Sequence, residues 1–128
     1  MATWQDVRRI ALSLPETSEE QRNGGPVWTV RGKMFAWERP LRRADLEALG
    51  AGAPTGAILG LRTADLEMKA AMLASDASVF FTTPHFDGYC AVLVHLASVS
   101  KKKLRESIEE AWLARAPSRV AKAFLADR

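Results

Sequence analysis

Residues Tyr89 to Val99 (Tyr-Cys-Ala-Val-Leu-Val-His-Leu-Ala-Ser-Val) limit the possible folds more than any other stretch. Apolar side chains fall on both alternating faces, and His95 interrupts the run. Gly88 stands before it and Ser100 after it. An amphipathic surface strand would alternate apolar with polar residues. A nearly continuous apolar run instead predicts a strand in a central position in its sheet. The run is also far shorter than the ~20 apolar residues that cross a bilayer. A soluble sheet protein with no membrane partner is therefore expected.

The rest of the chain supplies elements to surround that strand. Thr3 predicts a helix N-cap, with Asp6 three residues later near the positive end of the helix. Trp4, Val7, Ile10, Ala11 and Leu14 then recur at three- and four-residue steps, which predicts an amphipathic helix ending at Pro15. Glu16 to Pro26 is polar and contains glycine, and reads as a loop. Val27 to Glu38 reads as a β-hairpin, with Gly32 at a tight turn between Arg31 and Lys33. A short helix is expected over Ala44 to Leu49 and a strand over Ala57 to Arg62. Thr63 to Ser75 reads as a helix capped by Thr63. Val79 to Thr82 reads as a fourth strand, Pro84 to Gly88 as a turn, and Tyr89 to Val99 as the fifth strand. Ser100 caps a helix whose core face is Leu104, Ile108, Ala111 and Trp112, and Pro117 opens a last helix over Ser118 to Leu125. Hairpins outnumber parallel crossovers in this order. The fold class expected is α+β: an antiparallel sheet of about five strands with helices packed on one face, in one domain over residues 1–128.

Composition agrees with a globular domain: 48% of the 128 residues are hydrophobic and 26% charged. Cys90 is the only cysteine, so no internal disulfide forms and a cysteine-based zinc site lacks ligands. A lone thiol fits a reducing compartment, and the first 14 residues lack the apolar stretch of an export signal. A cytoplasmic location is expected.

No catalytic set assembles. His85, Asp87 and His95 match no zinc spacing, and each histidine reads as structural. Cys90, at the start of an apolar strand, reads as an inert thiol rather than a nucleophile paired with His85 or His95. Ser98 reads as a strand end and Ser100 as a cap. Adjacent glutamates such as Glu109 and Glu110 diverge by about 100° on a helix, so they do not converge on one substrate. Gly24-Gly25 and Gly50-Ala51-Gly52 lack the phosphate-loop lysine and the dinucleotide spacing. No enzyme activity, cofactor or metal is expected. Lys101-Lys102-Lys103 stands in the first turn of a helix, where the dipole disfavours cations. A bound anion is one candidate to offset that cost, and the nearby Glu106 is a sufficient and simpler one.

The net charge of +3 is concentrated. Arg22, Arg31, Lys33, Arg39, Arg42 and Arg43 fall in one segment with a single acid, Glu38. Guanidinium groups grip phosphates, so Arg31, Lys33, Arg39, Arg42 and Arg43 are candidate contacts to double-stranded DNA. Trp28 and Trp37 read as core residues. A rival reading is a small-molecule or anion pocket between the sheet and Thr83 to Tyr89, using His85, Tyr89 and a tryptophan, Trp28 or Trp37. A third is a protein-interaction domain acting through a sheet edge or as a homodimer, although no feature singles out an oligomer.

Four segments carry a resemblance when taken in order. They are Ala11-Leu-Ser-Leu-Pro-Glu-Thr17, Val30-Arg-Gly-Lys-Met-Phe-Ala36, Phe80-Phe-Thr-Thr-Pro-His-Phe-Asp-Gly-Tyr89 and Glu110-Ala-Trp-Leu-Ala-Arg-Ala-Pro117. The chain resembles the MmcQ/YjbR-like proteins. That resemblance implies a CyaY-like α+β fold and the family's DNA-binding label, attached to a double-wing arrangement. It carries over no catalytic residues. Cys90 stands where many members have histidine after Gly-Tyr, and His95 lacks a following tryptophan. Frataxin-type relatives of the fold bind iron through an acidic first helix, whereas Asp6 here faces Arg8 and Arg9, so iron is not expected.

Overall fold

A computed structural model of the chain describes residues 2–22 and 24–127. Among these residues six strands form one antiparallel sheet: β1 (Thr17–Arg22), β2 (Gly25–Val30), β3 (Lys33–Glu38), β4 (Ile58–Arg62), β5 (Phe80–Phe81) and β6 (Ala91–His95). Their order across the sheet is β1-β2-β3-β4-β6-β5. Among the described residues five α-helices complete the fold: α1 (Trp4–Ser13), α2 (Arg43–Leu49), α3 (Leu66–Ser75), α4 (Lys101–Arg115) and α5 (Ser118–Ala126). This is the α+β class expected from the sequence, with one strand more than the five read there.

The extra strand is β1, in the segment read as a loop. Its residues Thr-Ser-Glu-Glu-Gln-Arg carry almost no apolar signal, because β1 is an edge strand with exposed side chains. Its pairing along β2 runs from Thr17↔Val30 to Arg22↔Gly25. Charged side chains also protect such an edge from pairing with another chain. The long apolar run is interior as expected, since β6 lies between β4 and β5. It is shorter than expected, however: after His95 the chain turns into a 3₁₀ segment, Leu96–Ser98. The α3 cap is Asp65 rather than Thr63. Asp65 Oδ1 accepts from Met68 N at 2.8 Å, while the Thr63 hydroxyl donates to the Asp65 carbonyl.

One face of the sheet carries the main core. Trp28, Val30, Phe35, Leu59, Leu61, Val92 and Val94 meet Ile10 of α1 and Leu104, Ile108 and Trp112 of α4, all of them buried. The two buried indoles of this core have partners for their N–H groups: Trp28 Nε1 donates to Glu19 Oε1 at 3.0 Å and Trp112 Nε1 to the Pro15 carbonyl at 3.0 Å. An unpaired buried donor would cost about 1–3 kcal/mol. Thr3 and Asp6 form the expected cap on α1, with Thr3 N donating to Asp6 Oδ2 at 2.9 Å. Two of the three lysines opening α4 find acids on other elements rather than Glu106. Lys101 reaches Asp6 at 3.9 Å, and Lys103 reaches Asp76, just past α3, at 3.6 Å.

Candidate functional site

The opposite face of the sheet has a second, smaller apolar cluster: Val27, Trp37, Ile58, Phe86, Ala91 and Leu93, with Met34, Leu41 and Phe81 partly buried against it. A β-bulge puts two of these side chains where they are. The register passes from Trp28↔Ala36 to Thr29↔Met34, so β3 has one extra residue, Phe35. Phe35 and Ala36 both join the helix-side core, which leaves Met34 and Trp37 together on the other face. Without the bulge, strict alternation would put Met34 and Trp37 on opposite sides.

Trp37, Met34 and Val27 then floor a groove of ≈ 580 Å³, walled on one side by His85 to Tyr89 and on the other by Glu38 to Arg42. Small-molecule sites commonly occupy ≈ 300–1,000 Å³ and combine apolar lining with a few polar groups. Among the described residues no helix covers this groove; the 3₁₀ turn Pro84–Phe86 and Arg42, the residue before α2, stand at its margin.

Three basic side chains hold the margin. Lys69 on α3 is buried, and its ammonium donates to the carbonyls of Phe86 and Tyr89, the latter at 2.8 Å. Burial holds Lys69 below the ordinary lysine range, opposed by Asp87 and Cys90. Arg62 at the end of β4 donates to the Tyr89 hydroxyl at 2.7 Å and lies over its ring at 4.9 Å. Arg39 is buried, pairs with Asp45 at 3.0 Å, and places its guanidinium 5.2 Å from the centre of the Phe86 ring. Burial alone would raise the Asp45 carboxyl. The Arg42 backbone amide, donating at 2.8 Å, and the Arg39 charge outweigh it and hold the carboxyl below the ordinary aspartate range. The guanidinium is thus held from two sides, Nη2 by the Asp45 carboxylate and Nη1 by donating to the Pro40 carbonyl.

The model of the family described as YjbR matches residues 12–114. The chain belongs to the YjbR family. It is also 50% identical to uncharacterized proteins of Mycobacterium tuberculosis and Mycobacterium bovis, over 99% of this chain and 98% of theirs. No solved structure matches it significantly.

In this YjbR chain the five basic residues singled out in the sequence do not form one surface. Arg31 and Lys33 sit at the β2–β3 turn, while Arg39, Arg42 and Arg43 follow the far end of β3. Six residues of strand separate the two groups by about 20 Å. Arg31, with a φ of 50°, pairs with Glu16 at 3.1 Å; Arg39 is the buried partner of Asp45; Arg43 pairs with Glu47 at 3.3 Å. Among the described residues Lys33 and Arg42 make no ion pair, and both are exposed. Of the alternative pocket residues, Trp37, His85 and Tyr89 do line one groove. Trp28 lies on the helix side of the sheet, stacked on Trp4 at 6.3 Å, so it is not part of that groove. Sequence reasoning missed Met34 and Phe86 on the floor and wall, and Lys69 behind them. The β3 bulge that aims Met34 leaves no signal in the residue pattern, and Lys69 looks like any helix-surface lysine. No helix among the described residues is long and apolar enough to cross a membrane.

Proposed function

We propose that this YjbR chain is a binding module whose ligand is a small organic anion, held in the groove over Trp37, and that the groove performs no chemistry on it. A flat apolar body lies against Trp37, Met34 and Phe86. A carboxylate or phosphate faces Arg42, with His85 across the groove. The observation that carries this reading is an aromatic floor, Trp37 with Phe86, that no described helix covers and that the exposed Arg42 borders. Charge-assisted bonds from guanidinium to anionic oxygens are among the stronger polar contacts available to a protein.

Nucleic acid is less well supported, because the basic residues that the sequence offers it are divided along β3 and three of them already face carboxylates. One experiment separates the two. Thermal shift and indole N–H resonances are followed against aromatic carboxylates, mononucleotides and a DNA duplex at low salt. A ligand at a hundred times its Kd adds about 2.7 kcal/mol to native stability. The groove reading expects a rise in Tm with a small anion and a moved Trp37 resonance, both weakened in Arg42→Gln. It is wrong if no small anion shifts either signal. Duplex binding lost in Arg31→Ala/Lys33→Ala, with a steep salt dependence, would restore the DNA assignment.

A further inference from the structure

A second cleft, of ≈ 350 Å³, opens on the other half of the sheet and is lined in part by Leu49, Pro54, Phe81, Ser78, His95 and Ser98. Two of these residues form a connected chain. Ser98 Oγ lies 2.8 Å from His95 Nδ1, and His95 Nε2 lies 3.1 Å from the Thr55 carbonyl oxygen. A carbonyl only accepts, so in the neutral ring Nε2 carries the proton and donates. Nδ1 is then the bare nitrogen, and Ser98 Oγ–H donates to it. The tautomer follows from the partners.

The imidazole is also held in place. His95 ends β6, pairs with Ile58 on β4, and its backbone N–H donates to the Val79 carbonyl at 2.8 Å. Ser98 closes the 3₁₀ turn that follows and is exposed. A hydroxyl bonded to a base that a third group orients is the arrangement that activates a serine nucleophile. The residue pattern alone reads His95 as structural and Ser98 as a strand end, because nothing in it reports that the chain turns at Leu96.

We propose that Ser98 is an acyl-accepting nucleophile, assisted by His95, for small activated acyl esters or thioesters. Ser98 Oγ attacks the acyl carbon as its proton passes to His95 Nδ1. The bond from the acyl carbon to the leaving oxygen or sulfur breaks, and the leaving group takes the proton back from the imidazolium. The products are an acyl ester on Ser98 and a free alcohol or thiol. Leu49, Pro54 and Phe81 offer apolar walls to a short acyl chain, and the Thr55 carbonyl orients the ring without the charge a carboxylate would add. Modification of Ser98 rather than rapid turnover is the expected outcome.

The probe is p-nitrophenyl acetate on the full chain, with acetylated residues mapped by peptide mass spectrometry. Ser100 serves as an internal reference: it is exposed nearby, but its Oγ accepts from Lys103 N at 3.1 Å instead of meeting an imidazole. Acetyl is expected on Ser98 in large excess over Ser100 and Ser78. His95→Gln should slow that labelling by about a hundredfold or more, the usual contribution of a positioned base. Ser98→Ala should abolish it while leaving Tm unchanged. Equal labelling of Ser98 and Ser100 in the unaltered chain overturns the proposal without any variant, as does labelling of Ser98 that is indifferent to His95→Gln in a folded protein.

Discussion

The Trp37 indole lies across Gly60, its cross-strand partner on β4, so closely that a Cβ at residue 60 would fall 2.3 Å from Trp37 Cε2 and 2.7 Å from Nε1. Only glycine admits the ring there, and the ring is the floor of the groove. Gly60→Ala should therefore do two things together. It should destabilise the fold by about 1–3 kcal/mol, the usual cost of overpacking. It should also lift or rotate Trp37, shifting its emission and indole resonance. A chemical-denaturation midpoint and a tryptophan spectrum measure the two effects. A variant of unchanged stability with an unchanged Trp37 signal would show that the packing of ring on backbone is looser than described.

Asp45 sets how the protein responds to acid. Its carboxyl is held below the value it has in an unfolded chain, as are those of Asp6, by the Thr3 amide, and Asp76, by the Ser78 hydroxyl and amide. A carboxylate that is more acidic when folded contributes stability above its unfolded value of about 3.9 and loses it as the pH falls through the folded value. Stability should thus be level near neutrality and fall below about pH 4. Asp45→Asn should cost about 3 kcal/mol at neutral pH, since it leaves Arg39 buried without its counter-charge. It should also flatten the acid limb. Tm recorded between about pH 2 and 7 for both proteins tests this. An Asp45→Asn variant as stable as the parent would mean that the Arg39 charge is solvated after all.

The start of α4 makes a salt-dependent prediction. Three lysines occupy a helix end that repels cations, and Asp76 answers Lys103 from outside that helix, with the Phe80 ring 5.9 Å from the same ammonium. Asp76→Asn should lower Tm at low ionic strength, and part of the loss should disappear in about 1 M salt, where the Debye length is only about 3 Å. A loss equal at both salt concentrations would assign the effect to the hydrogen bonds from Ser78 instead.

What the sequence carried was whatever depends on local pattern. The β2–β3 hairpin with its Gly32 turn, the Thr3 and Ser100 caps, and the interior position of the Val92-Leu93-Val94 run were all legible, because period, cap chemistry and apolar content act over a few residues. Strand β1 was not, since an edge strand of Glu, Gln and Arg is defined by its neighbour and not by its own composition. The groove was half legible. Trp37, His85 and Tyr89 pair as candidates from chemistry alone, but Trp28 groups with them because the two tryptophans flank the same hairpin. They fall on opposite faces of the sheet. The buried state of Arg39 was hidden for a related reason: its partner Asp45 lies in the next helix, and no spacing rule links a strand end to that position.

Lys69 makes the groove wall conditional on a single buried ammonium. Its two carbonyl partners, on Phe86 and Tyr89, belong to the segment that faces Trp37, and Phe86 meets that indole with ring centres 6.4 Å apart. Lys69→Met keeps the length and the apolar stem but removes both donors. The carbonyls would then have to find water, at a cost of about 1–3 kcal/mol if one stays buried, and residues 84–89 should loosen first. Amide hydrogen exchange is expected to accelerate at Phe86 and Tyr89, whose N–H groups bond within the turn, while the amides of β3 and β4 keep their protection. Affinity for whatever anion stabilises the parent protein should fall with it, because the wall and not the Trp37 floor has moved. Acceleration spread evenly over the sheet would instead show Lys69 to be a general fold contact, and unchanged exchange at Phe86 and Tyr89 would show that it does not hold the wall.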